Sequence, residues 1–244
     1  VVRGEGEDTM LDLIRAYSER QNLQGVLGVS YKKDGQIYHN NSRSLIRSLE
    51  ALPYPNRELL IDYENYTCNQ LGWIMTSRGC PFDCTFCSSK NIWTRKVRHR
   101  LLVNVIDELD ELKNKYKVTN VNFMDDSFTV NRRYMFDLCN TLLERKIKLT
   151  WSCLTRADLL DDEMVKKMKA AGCTKVDIGI ESGSQRVQEI INKGIDLDHV
   201  RKMAVMLRSN NMFWAGFFMM GYPGETKDDV LDTLKFMKEV KPNW

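Results

Sequence analysis

The chain has 244 residues, with 36 lysines and arginines against 33 aspartates and glutamates, a formal charge of +3. That balance is too even to mark a nucleic-acid or anionic-membrane partner. A composition of 43% hydrophobic and 28% charged residues excludes general disorder.

No apolar run reaches the roughly 18 residues of a membrane span, and no basic-then-apolar leader opens the chain. Asp8 or Thr9 is placed to cap a short helix with Leu13, Ile14 and Tyr17 on its apolar face. Residues 26–31 and 36–38 read as two strands around Asp34-Gly35, a hairpin signal. Residues 43–62, with Pro53 and Pro55, suit a connection. The opening Val1-Val2-Arg3-Gly4 reads as the end of a strand, as if the chain began inside a larger protein.

A rhythm starts at Leu71. Strands are expected at 71–76, 119–124, 147–153, 174–180 and 213–220. Helices are expected at 101–116, 132–145, 161–171, 185–192, 199–209 and 227–240. Five strand-then-helix units of mostly apolar strands imply a parallel sheet covered by helices. Their length, about 35 residues, is close to the roughly 31 per unit of an eight-unit barrel. Five units cannot close such a barrel, so the sheet is either open and doubly wound or a partial barrel. A sixth strand is expected to start near Val240–Trp244.

The seven cysteines are Cys68, Cys80, Cys84, Cys87, Cys139, Cys153 and Cys173. An odd number, with three inside eight residues, argues against a secreted disulfide framework and for reduced thiols in the cytoplasm. Cys80, Cys84 and Cys87 have the spacing C-x-x-x-C-x-x-C directly after the first strand of the rhythm. Three thiolates on one short loop can hold a four-iron four-sulfur cluster while leaving one iron open. Two other readings are a zinc site completed by Cys68 or His99, and coincidence among reduced cysteines.

This motif, its placement and the units after it resemble the radical S-adenosylmethionine superfamily over about residues 70–244. The resemblance implies an α/β fold: a partial (β/α)6 barrel, here cut after about five βα units and preceded by a small α/β remnant and hairpin. It implies a 4Fe-4S cluster on Cys80, Cys84 and Cys87. The open iron would be chelated by S-adenosylmethionine, which is cleaved to a 5′-deoxyadenosyl radical that abstracts a substrate hydrogen.

Parallel barrels keep their chemistry at the C-terminal ends of strands. Asp125 and Asp126 follow the second strand, where carboxylates could accept from the ammonium of S-adenosylmethionine. The superfamily often has Gly-Gly-Glu there, and the alternative role is an N-cap. Arg156, after the third strand, suits either a ligand carboxylate or a local acid. Glu181 ends the fourth strand, where a lone carboxylate needs a partner such as a ribose diol. Lys193, twelve residues on, replaces the family's usual arginine opposite the methionyl carboxylate; its other reading is a solvated cation at a helix end. Gly221-Tyr222-Pro223-Gly224-Glu225-Thr226 resembles the adenine-side motif. Met219 and Phe86 are the apolar adenine contacts that the resemblance implies, unless both are plain core.

The flanks narrow the resemblance. Gly4-Glu5-Gly6-Glu7, the Asp34-Gly35 hairpin, Leu52-Pro53-Tyr54-Pro55, Phe123-Met124-Asp125-Asp126-Ser127 and Ile178-Gly179-Ile180-Glu181-Ser182-Gly183-Ser184 are similar to the cobalamin-binding branch. Residues 1–65 would then be the end of a cobalamin-binding-like domain plus a hairpin linker, and 66–244 the barrel core. Cobalamin is implied for the parent protein, and methyl transfer is the expected reaction. An oxidative cyclase of tetrapyrrole synthesis is the second reading, and a non-catalytic iron–sulfur electron carrier the third. An electron donor such as a flavodoxin or ferredoxin is expected, and the substrate is unspecified.

Overall fold

The computed structural model describes residues 1–244. Helix α1 (Glu7–Ser18) comes first, with Glu7 and Asp8 in its first turn. Strands β1 (Ser30–Lys33) and β2 (Gln36–His39) pair antiparallel. Asp34 and Gly35 between them both take positive φ, 48° and 81°, the backbone of a type I′ hairpin turn. Four 3₁₀ turns between Leu49 and Leu71 lead to the sheet.

The sheet begins at β3 (Trp73–Ile74). A small side ribbon follows, β4 (Ser77–Arg78) paired antiparallel with β5 (Arg98–His99), with α2 (Ser89–Trp93) between them. Then come α3 (Leu102–Asn114), β6 (Asn120–Phe123), α4 (Arg132–Glu144), β7 (Thr150–Arg156), α5 (Asp162–Ala170) and β8 (Cys173–Glu181). The chain finishes with α6 (Gln185–Ile190), α7 (Leu197–Ser209), β9 (Phe213–Phe218) and α8 (Lys227–Val240). The strand order β3-β6-β7-β8-β9 follows the chain and every pair is parallel. This is the partial barrel of successive βα units that the sequence predicts.

Alternation along the strands sorts the two faces of the sheet. Val121, Phe123, Trp151, Cys153, Val176, Ile178, Ile180 and Trp214 are fully buried under the helices. The opposite face carries a row of register neighbours, Trp73, Asn122, Ser152, Lys175 and Phe213, and above it Leu154, Asp177 and Ala215. Beyond β9, Gly216 N donates to Trp244 O and Asn243 N to Trp214 O. The position expected for a sixth strand is therefore already entered.

Side chains cap the helices: Asn131, Asp161, Ser184 and Asp196 each accept from a first-turn N–H, and Thr226 with Asp229 forms a reciprocal box. The open edge at β3 is satisfied by Arg57, which donates to Leu71 O and Trp73 O and pairs with buried Glu108 at 2.9 Å.

Three expectations are corrected. The helix α1 buries Thr9 and Ala16, whereas Ile14 and Tyr17 are exposed and Leu13 is half-buried. It lies against the backbone at Gly28, where an added Cβ would sit 2.9 Å from Thr9 Oγ1, so only small side chains fit. The third sheet strand starts at Thr150; Ile147 and Leu149 are buried in the turn before it. The first sheet strand is two residues long, because the chain leaves the sheet after Met75 to build the β4–β5 ribbon.

The N-terminal segment is fastened to that ribbon by Glu5. Its buried carboxylate receives Arg78 Nη1 at 2.8 Å, Arg98 Nη1 at 2.9 Å and the Ile46 N–H at 2.6 Å. Burial raises the Glu5 carboxyl, but the hydrogen bonds from Arg98 and Arg78 outweigh it and hold the group below the usual glutamate range.

Candidate functional site

The cysteine loop hangs between β4 and α2. Gly79 starts it with φ +100°, and a Cβ there would meet Lys96 O at 2.4 Å, so the two arms of the ribbon cross too closely for any other residue. Cys80, Cys84 and Cys87 are free thiols; Cys84 is buried and the other two are half-buried. They are close enough to oppose one another's ionisation.

Burial is the main force raising the Cys80 and Cys84 thiols. At Cys84 the positive charges of Lys193 and Arg156 pull the other way and favour thiolate. Cys87 Sγ receives the Ser89 N–H at 3.4 Å.

No three His, Cys, Asp or Glu side chains converge as ligands of a single ion. Cys68 lies exposed in the turn before β3, and the His99 ring packs at a tilt against Tyr134, 4.5 Å between ring centres. Neither joins the triad in a mononuclear zinc site. Three thiols on one loop with a cationic flank fit a cluster, whose ligands each bind a different iron.

The loop is tied to the end of α6 and to the segment after β9. Thr85 N donates to Ile191 O at 2.9 Å, Asn192 Nδ2 donates to Asp83 O at 3.1 Å, and Thr85 Oγ1 bonds the Tyr222 hydroxyl. The glycine-rich segment after β9 therefore touches the cysteine loop directly.

Glu181 ends β8 with φ +71°, an uncommon conformation for a side-chain-bearing residue. Its Oε1 lies 2.5 Å from Lys193 Nζ, and both side chains are buried. Lys193 is thus no solvated helix-end cation. It also stands 5.8 Å from the centre of the Phe86 ring. Met219, half-buried, donates its N–H to Glu181 O at 2.8 Å. Glu181, Lys193, Phe86 and Met219 therefore form one group beside Cys84.

The two aspartates after β6 separate. Asp126 accepts from Ser89 Oγ at 2.7 Å, and its charge acts on Cys80, so it faces the loop. Asp125 is only 1% exposed and accepts from Thr76 N at 3.1 Å, from Thr76 Oγ1 at 2.8 Å and from Ser77 Oγ. Burial outweighs these bonds and raises its carboxyl. Asp125 holds the bend where the chain turns from β3 into β4. It offers no free face to the ammonium of a ligand, contrary to expectation. Neither aspartate caps α4, which Asn131 does.

Of the two partners the sequence offers Arg156, a ligand carboxylate or a local acid, the structure shows the local acid. Its guanidinium binds Asp158 through two bonds of 2.9 Å, donates to Lys193 O at 2.7 Å and stacks 3.6 Å from the Phe82 ring centre. Phe82, Ser89 and Tyr222 join the site as partners whose role no sequence motif marks. Phe82 and Ser89 flank the cysteines, and Tyr222 lies in the glycine-rich segment, so position was the one signal available for them.

Residues 74–237 match the family model described as the radical SAM superfamily. The chain is 35% identical over 242 residues to an uncharacterised methyltransferase of Pyrococcus horikoshii, covering 98% of this chain and 52% of that protein. It is 28% identical to the anaerobic magnesium-protoporphyrin IX monomethyl ester cyclase of Cereibacter sphaeroides, across 100% of this chain and 42% of that one. The chain spans about half the length of these curated relatives. The solved methyltransferase TsrM of Kitasatospora setae, with cobalamin and a [4Fe-4S] cluster bound, superposes with a TM-score of 0.81 at 18% identity over 99% of this chain and 50% of that one. No helix is long and apolar enough to cross a membrane. With its three free thiols at the mouth of a parallel partial barrel, the chain belongs to the radical S-adenosylmethionine superfamily of enzymes, which hold a 4Fe-4S cluster and S-adenosylmethionine.

Proposed function

We propose that this protein cleaves S-adenosylmethionine reductively, abstracts a hydrogen atom from its substrate and, in the whole protein, completes a cobalamin-dependent methyl transfer. The observation that carries this is the convergence of Cys80, Cys84 and Cys87 with the Glu181–Lys193 pair at the ends of the parallel strands. When bound, the cluster supplies the electron for the cleavage.

The chain's own residues hold and orient the ligand. Cys80, Cys84 and Cys87 anchor the cluster. Lys193 spends one of its three N–H donors on Glu181 and keeps two for the methionyl carboxylate. Asp126 receives the ligand ammonium, Glu181 the ribose hydroxyls, and Phe86 and Met219 flank the adenine. Cobalamin is assigned to the whole protein on its likeness to methyltransferases, and no residue of this chain is assigned to it.

Magnesium-protoporphyrin cyclisation is the second reading, favoured by the likeness to the Cereibacter enzyme along the entire chain. A one-electron donor of the flavodoxin or ferredoxin kind is the partner that either chemistry needs.

The test is anaerobic reconstitution of the intact protein with iron, sulfide and S-adenosylmethionine. Dithionite should then release 5′-deoxyadenosine, and with cobalamin a labelled methyl group should leave S-adenosylmethionine. A cluster signal indifferent to S-adenosylmethionine would favour a plain electron carrier.

A further inference from the structure

Arg156 is an arginine that the strand-end chemistry above does not use. It ends β7, its side chain is 8% exposed, and it is more elaborately held than an ordinary ion pair requires. Nε and Nη2 grip the two oxygens of Asp158, and Nη2 also donates to the carbonyl of Lys193, the residue that pairs with Glu181. The plane of the guanidinium lies on Phe82, inside the C-x-x-x-C step. Nη1 points at Cys84 Sγ, 3.9 Å away. A fork fixed on three sides leaves its remaining edge aimed at one sulfur, and only arginine supplies that geometry.

We propose that Arg156 is a positioning residue for the cluster, which sets its reduction potential through Cys84 and fixes the Phe82 part of the loop. The proposal rests on the reading of Cys84 as a cluster ligand. Reduction adds one negative charge to the cluster and its thiolates. A nearby cation and an N–H aimed at sulfur stabilise that added charge, so they raise the potential. Asp158, partly exposed, offsets some of the guanidinium charge. Arg156 and Asp158 should therefore act with opposite sign, which a purely structural ion pair would not do.

The experiment is a redox titration of the intact, anaerobically reconstituted protein with dithionite as reductant, followed by electron paramagnetic resonance, alongside iron and sulfide analysis. At a fixed solution potential, Arg156→Gln should lower the ratio of reduced to oxidised cluster about tenfold, which for a one-electron couple is about 59 mV. Arg156→Lys, which keeps the charge and loses the fork, should fall between it and the wild type. Asp158→Asn should raise the ratio.

Wild-type potential in Arg156→Gln at full iron content overturns the proposal. If Arg156→Gln loses its iron, Asp158→Asn decides, and an unchanged or lowered ratio there overturns it equally. A wild-type protein that takes up no four-iron cluster overturns the proposal together with the reading beneath it, and the iron analysis separates that failure from a failure of Arg156 alone.

Discussion

Glu181 Oε1 and Lys193 Nζ meet at 2.5 Å above the backbone of Gly179. A Cβ on Gly179 would stand 2.6 Å from the carboxylate oxygen and 2.7 Å from the ammonium, so the bare backbone two residues before Glu181 makes the space the pair occupies. The twelve-residue spacing read from the sequence is thus a contact, formed because α6 returns Lys193 to the strand end from which Glu181 left.

Breaking this pair should be costly from either side. Lys193→Met strands a buried carboxylate, which costs about 3–5 kcal/mol. The double variant Glu181→Gln, Lys193→Met should be less destabilised than the sum of its single changes, with a coupling of about 0.5–3 kcal/mol. Gly179→Ala should cost about 1–3 kcal/mol by overpacking. Urea denaturation midpoints check all three, and additive single-variant costs would show that the two side chains do not depend on one another.

Asp125 and Asp126 should part in their effects. Asp126→Asn removes a charged acceptor facing the loop and should weaken S-adenosylmethionine binding about ten- to a hundredfold, the worth of a charged hydrogen bond of roughly 1.5–3 kcal/mol. Asp125→Asn should leave that affinity nearly intact and change the pH dependence of folding instead. The Asp125 carboxyl is raised by burial, more than the bonds from Ser77 and Thr76 lower it. Its contribution to stability is complete below the unfolded aspartate value and is lost as pH rises through the raised folded value. The asparagine variant should flatten that fall. Equilibrium binding and denaturation across the weakly acidic range decide, and an affinity loss confined to Asp125→Asn would reverse the assignment.

The barrel was readable because each unit carries its own punctuation. Gly172 stops α5 with φ +100°, where a Cβ would hit Leu149 O at 2.3 Å, and Thr226 opens α8 with a capping box. The β4–β5 ribbon was not readable: strands of two residues, Ser77–Arg78 and Arg98–His99, have no alternation to detect. In the site, the spacing of Cys80, Cys84 and Cys87 marks them as candidate ligands, and the family resemblance marks Glu181 and Lys193. Asp125 was misjudged because the same Asp-Asp pair permits one carboxylate to face inward and the other outward, and only the β3-to-β4 bend selects which. Of the partners of Arg156, Asp158 stands two residues on and fits the local acid the sequence offers, whereas Phe82 and Lys193 lie far away along the chain and a strand end cannot announce contacts with them.

Glu5 should behave as a clasp between the N-terminal segment and the ribbon that carries the cysteine loop. Glu5→Gln leaves Arg78 and Arg98 without their shared carboxylate, a loss of about 3–5 kcal/mol for a buried pair deprived of one partner. Its folded carboxyl lies below the ordinary glutamate range, so its stabilisation is present above the unfolded value and disappears as pH falls through the folded one. Protection against hydrogen exchange in residues 1–46, taken relative to the intrinsic rate at each pH, should fall on acidification in the wild type and be low already near neutral pH in Glu5→Gln. Protection that is high and unchanged with pH in both would show that other contacts hold the segment.

The seven cysteines should divide by burial and position. Changing Cys80, Cys84 or Cys87 to Ala should abolish the reconstituted cluster of about four irons. Cys68→Ala should change nothing measurable, since the side chain is exposed and outside the loop. Cys139, Cys153 and Cys173 lie in the core between the sheet and α4. Burial pushes the Cys139 thiol up to about 12 and the Cys153 thiol well above its ordinary value, so neither offers thiolate to iron. Their alanine variants should keep full iron content and lose stability, since each leaves a gap where a sulfur was packed. Serine at the same positions adds a buried hydroxyl, which costs roughly 1–3 kcal/mol unless it finds a partner. Iron analysis and denaturation midpoints on the same samples make the comparison. Stoichiometric zinc with no iron or sulfide in protein purified without oxygen would sink the cluster assignment, whereas iron lost from Cys139→Ala at unchanged stability would move a ligand into the core.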